Sequence, residues 1–457
     1  MSGSSQLRVN ILTSLGSSVL SALLMAAAYP LYLHYLGYQQ YGLWLVLATV
    51  LTMGQVGNLG ISPALVKLVA EDYAAGDVEG VYRYIGCGVM SLLVSGGMLV
   101  AGILLLRGRI VELFGVQGND AIVAYALLPY VAVLSVYMLM ADAMNSAVAG
   151  IGRYDLVSYC QLTGQVLTVA AAVVCFRRHY GIWSLLIANA LDAIFLNVVS
   201  IVLIRRITGT GRWMRLSRDG VRLRRILSFG SWIFGANLLN TVVYPLNKVF
   251  ITRAVGLGGV PVYDLSFATC FKVRSFFESG FRSLAPEYSS LNSLRPGGAR
   301  KTLTVADRKG FRAVVQWGTL VYLPVFLFCG WGLQVWLRGR FTAELPEIFR
   351  IMLLGTYLGL WGLQPWYSLL GFGRSRHIFM SNAVQALANV GLVWIWPVMW
   401  HQPVTLAGVT WATCLGLLGS TMYLRWQGRR LRRAVAGEGA GLGRQVHVVE
   451  VDRLPVG

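Results

Sequence analysis

The chain has 457 residues, of which 56% are hydrophobic and only 13% charged, with a mean hydropathy of +0.61. That composition excludes a string of soluble domains, because it leaves too little polar surface to face water. Its 39 Lys and Arg against 19 Asp and Glu give a net charge of +20, a balance that points to nucleic acid in a soluble protein but not in an apolar one, where it needs another cause.

A membrane-spanning helix needs about 20 mainly apolar residues, so the stretches between ionised residues locate the spans. Val9 to Val66 holds no Asp, Glu, Lys or Arg and accommodates spans 1 and 2, with a turn near His34–Tyr41. The apolar run after Arg8 is too long for a signal-peptide core and reads as a retained first membrane helix. Charge-free windows at 84–106, 121–141 and 156–176, and a segment at 182–204 interrupted by Asp192, give spans 3 to 6. A basic connection at 205–225 follows. Residues 226–252 contain Lys248, and 260–285 is charge-bearing; 313–337 and 351–373 complete spans 7 to 10. The charge-free 377–424 holds spans 11 and 12, with Pro397, Trp400, His401 and Pro403 at the turn. The predicted fold is all-α, about twelve transmembrane helices in two six-helix lobes, 1–204 and 226–426. A basic tail at 427–457, with Gly437, Gly439, Gly441 and Gly443, is expected to be disordered and cytoplasmic.

Basic residues concentrate on the cytoplasmic side of membrane proteins. With both termini inside, the inner segments hold 28 Lys and Arg and the outer connections eight. Three cations, Lys248, Lys272 and Arg274, lie inside spans and are not explained by orientation.

Several patterns recur at a nearly constant offset. Gly150-Ile-Gly-Arg153 returns as Gly371-Phe-Gly-Arg374, Tyr29-Pro-Leu31 as Tyr244-Pro-Leu246, and Tyr41 as Tyr263. Their order suggests two parallel six-span halves around a central cavity, the arrangement used for alternating access. Pro30 and Pro245 would bend corresponding spans.

Span 8 is the most charged, with Asp264, Lys272, Arg274, Glu278 and Arg282. At 100° per residue, Arg274, Glu278, Arg282 and Asp264 form one polar stripe, with Lys272 at its side. Structural pairing at i,i+4 is one reading. The other is a cavity surplus of cations, Lys272 and Arg274 with Lys248, Arg282 and Arg253, suited to a polyanion such as a diphosphate. In the first half, Asp142 and Asp192 are either structural groups hydrogen-bonded to Asn145 and Asn189 or sites for a coupling ion, as Asp264 and Glu278 also are. The six cysteines form no CxxC pair and the five histidines are scattered, giving no sign of a disulfide framework, metal site or catalytic constellation.

In YPLYLHYLGYQQYGLWLVL (29–47), NLGISPALVKLVAEDYAAGD (58–77), GIGRYD (150–155), VGLGGVPVYDLSFATCFKVRSFFESGFRSLAPEYSSL (255–291) and GFGRSRHIFMSNAVQALANV (371–390), the chain resembles Wzx-type oligosaccharide-lipid flippases. These share a superfamily with multidrug and toxic compound extruders and lipid II flippases. The resemblance implies a two-lobed, non-enzymatic flippase in the bacterial inner membrane. Its substrate would be an undecaprenyl-diphosphate-linked repeat unit for O-antigen, capsule or exopolysaccharide. A proton or sodium gradient or the membrane potential would drive it, and polysaccharide polymerase and chain-length machinery would be its partners, with membrane lipids around it and no nucleic acid. Relatives often carry cations in spans 1 and 2, which this chain lacks, so Gln55, Asn58 and aromatics are expected to meet the sugar instead. Lys248 stands where relatives are often acidic, and twelve spans disfavour a lipid II flippase. A small-molecule exporter on the same fold and a membrane-bound polymerase are the alternative readings.

Overall fold

The computed structural model describes residues 3–209, 219–282, 296–372, 374–401 and 403–437. All regular structure among them is helical. The first half contains α1 (Gly3–Gly54), a 3-10 turn (Gln55–Asn58), α2 (Ile61–Ala74), α3 (Val78–Phe114), α4 (Gly118–Gly150), α5 (Tyr154–Arg177) and α6 (Trp183–Thr208). The second contains α7 (Gly220–Ala254), α8 (Gly259–Arg282), α9 (Pro296–Leu337), α10 (Leu345–Leu360), α11 (Leu363–Gly371), α12 (Ser375–Trp400) and α13 (Leu406–Gly437).

Seven helices among the described residues are long and apolar enough to cross a membrane. The first of these, Gly16–Asn58, holds two of the expected spans, because α1 breaks at Gly37 (φ 68°, ψ 178°). Only glycine adopts that backbone without strain. The remaining expected spans are helical too but less apolar. Basic residues dilute α7 and α8, the tenth span is divided between α10 and α11, and α13 is rich in Thr and Gly. The last helix runs to Gly437, past the expected boundary at 426, and the tail from 438 lies outside the described residues, as do 210–218 of the basic connection.

The chain reverses by local rules. Asp77 caps α3 by accepting from the Gly80 N–H at 2.8 Å, and Asp219 caps α7 by accepting from Val221 and Arg222. At the Gly150-Ile-Gly-Arg153 turn, a Cβ on Gly150 would stand 2.8 Å from the Val66 carbonyl, so glycine lets α4 meet α2. Arg153 then grips Asp155 with a two-pronged fork, both bonds 2.9 Å. That fork holds the Asp155 carboxyl below its ordinary range. A depressed carboxylate pKa adds stability above the unfolded value and loses it as pH falls through the folded one. Arg153→Gln should therefore lower the thermal midpoint in detergent at neutral pH, the two proteins converging as acid protonates Asp155. Equal midpoints at neutral pH would show that the fork contributes nothing.

Packing differs between the two ends of the bundle. The largest apolar cluster crosses between halves, joining Leu33, Leu43 and Trp44 to Ile251, Val260 and Tyr263. Smaller clusters gather nearer the Arg153 turn. Ile61, Leu65, Ile85 and Met144 pack in the first half, and Leu369, Ile378, Leu424 and Leu431 in the second. Ile226, expected to begin the second lobe, is buried in the first-half cluster, so the start of α7 belongs by packing to its neighbour. Arg225 confirms this by donating to the Tyr84 hydroxyl at 3.2 Å.

The halves are sealed at the Gly37 end. Tyr29 donates to the Pro261 carbonyl at 2.8 Å, Trp336 to Ala26, Tyr38 to Arg340, and Arg340 to His34. Gly42 lies flat on Leu257, whose carbonyl oxygen would stand 2.0 Å from an added Cβ.

Candidate functional site

The hairpin of α7 and α8 carries the three cations that orientation leaves unexplained. Lys248 lies six residues before α7 ends and Asp264 five after α8 begins. Antiparallel helices therefore bring them to the same depth, and Lys248 Nζ meets Asp264 Oδ1 at 2.7 Å. The pair is sealed, with side chains 4% and 8% exposed. Tyr244 donates to the same carboxylate oxygen, and its ring lies 4.4 Å from the ammonium. Lys248 also donates to the Leu45 carbonyl in the first half at 3.3 Å.

The repeated tyrosines meet one another in each half. Tyr29 and Tyr41 contact edge to face at 5.3 Å between centroids, and their counterparts Tyr244 and Tyr263 stack at 6.4 Å. The recurring positions thus pair in both halves, with different ring geometry. Behind Tyr263 is a neutral polar knot, in which Asn247 donates to Tyr263 and Thr413, and Asn389 to Thr413.

Along α8 an aromatic ladder leads away from the ion pair, with Tyr244 on Phe267 at 4.5 Å and Phe267 on Phe271 at 4.1 Å. Arg274 follows, its guanidinium 5.7 Å from the Phe271 centroid. Glu278 accepts from Arg274 Nε at 2.8 Å, the i,i+4 pairing expected from spacing, with side chains 18% and 34% exposed. Only the Nε edge is engaged in that bond. Gly359 leaves room for Nη1, which would stand 3.1 Å from a Cβ there. Lys272 is half-buried, and no carboxylate among the described residues reaches it. The side chain of Arg282 lies outside the described residues.

Arg253 is elsewhere, exposed at the Gly37 end, where it donates to the Glu112 carbonyl at the end of α3. It satisfies a terminal helix carbonyl and meets the negative end of the helix dipole. The structure thus groups Lys248 with Asp264 and Arg274 with Glu278, and sets Arg253 apart.

The first-half acids have different partners from those expected. Asp142 accepts from Asn58 at 3.0 Å, and Asn58 also donates to the Ser62 hydroxyl. Asn145 turns instead to Ser200. Asn58, expected to meet sugar, is thus engaged in joining Asp142 to the start of α2; the Gln55 side chain lies outside the described residues. Asn189 donates to the Leu185 carbonyl rather than to Asp192, whose Oδ1 is buried against Gly164 with no hydrogen-bond partner among the described residues. Among the described residues no three His, Cys, Asp or Glu gather as a metal site would need.

A family model described as polysaccharide biosynthesis protein matches residues 34–329. No curated protein matches the sequence. Among solved structures, the inward-facing conformation of a multidrug resistance MATE family transporter of the MOP superfamily is similar, with TM-score 0.71 and 16% identity over 93% of this chain and 99% of that one. An outward-facing conformation with the same family description has TM-score 0.62 and 16% identity over 96% and 99%. A Vibrio cholerae MATE transporter mutant has TM-score 0.63 and 13% identity over 94% and 98%. At these identities the likeness concerns the fold, two lobes of membrane helices.

Proposed function

Since the chain belongs to the polysaccharide biosynthesis protein family and has the fold of a MATE-type membrane transporter, we propose that it flips a lipid-diphosphate-linked oligosaccharide across the bacterial inner membrane. The arginine-rich connections face the cytoplasm in this reading, following the 28-to-8 distribution of cations. The Gly37 end then faces outward and is the sealed end. A substrate made in the cytoplasm enters from the Arg153 side, where the apolar clusters of the two halves are separate.

The observation that carries this reading is the state of the α8 cations. Asp264 is occupied by Lys248 and Glu278 by the Nε edge of Arg274. Lys272 and the Nη groups of Arg274 are left to attract an anion, and an arginine fork matches two phosphate oxygens. A site for cationic drugs would require the opposite imbalance. The lipid tail stays in the bilayer while the diphosphate and sugars cross between the halves. Reconstitution tests the proposal: purified chain in sealed vesicles should make the saccharide of such a lipid accessible from the opposite side.

A further inference from the structure

The two halves share a turn but not its charge. Gly150-Ile-Gly-Arg153 leads into α5 and Gly371-Phe-Gly-Arg374 into α12, with the arginine in a similar backbone conformation just before each helix (φ −104°, ψ 58° and φ −88°, ψ 50°). In the first half the residue two positions on is Asp155, which accepts the arginine fork. The equivalent position in the second half is Arg376, so a pair that cancels is replaced by a pair that repels. From Arg374 to Gly437 the sequence holds no Asp or Glu. Among the described residues no ion pair reaches Arg374, Arg376 or Arg430.

Packing gathers these cations. His377 Nδ1 and the Tyr423 hydroxyl share a hydrogen bond at 3.1 Å, which ties the start of α12 to α13, and Arg374, Arg376 and Arg430 all lie close enough to act electrostatically on the His377 ring. Arg430 stands over the exposed Trp426 ring at 3.7 Å. One turn further from the arginines the same faces are apolar and exposed. Phe379 and Met380 follow Arg376 at helical spacing, and Met422 precedes Trp426 by one turn. Two adjacent stripes thus run from arginine at the membrane boundary to exposed apolar side chains within it. A phospholipid has the matching pattern, a phosphate above acyl chains, and an aromatic ring suits headgroup level. A soluble anion would leave the apolar stripes unused. We infer that this end of α12 and α13 binds an anionic phospholipid of the cytoplasmic leaflet, whose phosphate supplies beside Arg376 and Arg430 the negative charge that Asp155 supplies in the first half. The site rests on the cytoplasmic orientation of these turns and not on the cargo.

Native mass spectrometry of the full chain, released from micelles holding equal phosphatidylglycerol and phosphatidylcholine with the same acyl chains, reads binding without transport, so its outcome is separate from that of a flipping assay. The native chain should retain phosphatidylglycerol roughly tenfold over phosphatidylcholine. Arg376→Gln combined with Arg430→Gln should bring that preference close to parity. Lys67→Gln, at an exposed cation of the first half, should leave it unchanged. Arg376→Asp restores beside Arg374 the charge pattern of the first half. It should abolish the preference and raise the thermal midpoint in detergent alone, whereas added phosphatidylglycerol should raise the midpoint of the native chain only. A native chain without preference, or glutamine and aspartate variants that keep it, would overturn the site. Equal loss in Lys67→Gln would also overturn it, because the attraction would then be general charge. So would retention of a polyprenyl diphosphate in place of phosphatidylglycerol that the same substitutions remove, since the cations would then serve cargo. Arg376 and Arg430 are both exposed, and if Arg376→Asp does not fold, the glutamine pair decides.

Discussion

Gly42→Val is expected to prevent the Gly37 end from closing and to reduce transport roughly a hundredfold. A Cβ at this position would stand 2.0 Å from the Leu257 carbonyl oxygen and 2.8 Å from its carbon. Both atoms are backbone, held by the turn between α7 and α8, so no side-chain rotation relieves the clash. Overpacking of even ordinary cores costs about 1–3 kcal/mol, and a contact this short with main chain lies at or above that range. Closure would also lose the Tyr29–Pro261 and Lys248–Leu45 bonds, which need the same approach. Each half keeps its internal packing, because Gly42 touches the opposite half. Spin labels at the exposed Gln40 and Glu344 should report a longer distance in the variant, with unchanged helix content. An unaltered distance together with full transport would show that close contact at Gly42 is dispensable.

Arg274→Ala is expected to lower the rate of flipping by tenfold to about a hundredfold, the loss corresponding to one or two charge-assisted hydrogen bonds of about 1.5–3 kcal/mol in all. The substitution also strips Glu278 of its cation, which complicates a single variant. Arg274→Ala with Glu278→Gln removes that stranded charge. It should fold better than Arg274→Ala alone while remaining as slow, if the guanidinium meets substrate. Recovery of native transport in the double variant would assign Arg274 to pairing alone. Arg274→Lys preserves charge but not the fork and should be intermediate. Lys272→Ala, with no carboxylate partner among the described residues to strand, should impair transport with little effect on thermal stability.

Much of this arrangement can be traced to the sequence because it depends on periodicity. The break at Gly37, the i,i+4 pair Arg274–Glu278 and the paired tyrosines all follow from spacing within an element or between repeats. The Lys248–Asp264 pair depends on tertiary geometry, but its signal was present: opposite charges at equal depth on either side of one short turn. Considering α8 as an isolated helix grouped Asp264 with Arg274 and Glu278, although its partner stood on α7. Asp142 and Asp192 were harder for the same reason. Neighbours along their own helices, Asn145 and Asn189, offered plausible bonds, but helix packing turned the first to Ser200, and the second bonds the Leu185 carbonyl one turn back on its own helix. No local pattern announces that Asn58 will cross to Asp142.

The most direct measurement is flipping by the purified chain in sealed vesicles carrying a fluorescent polyprenyl-diphosphate oligosaccharide, scored by saccharide accessibility to a membrane-impermeant enzyme. Faster accessibility than in protein-free vesicles, lost in Lys272→Ala combined with Arg274→Ala, is the result expected. No acceleration by the native, folded chain would contradict the assignment, as would equal acceleration of a neutral lipid bearing the same sugars.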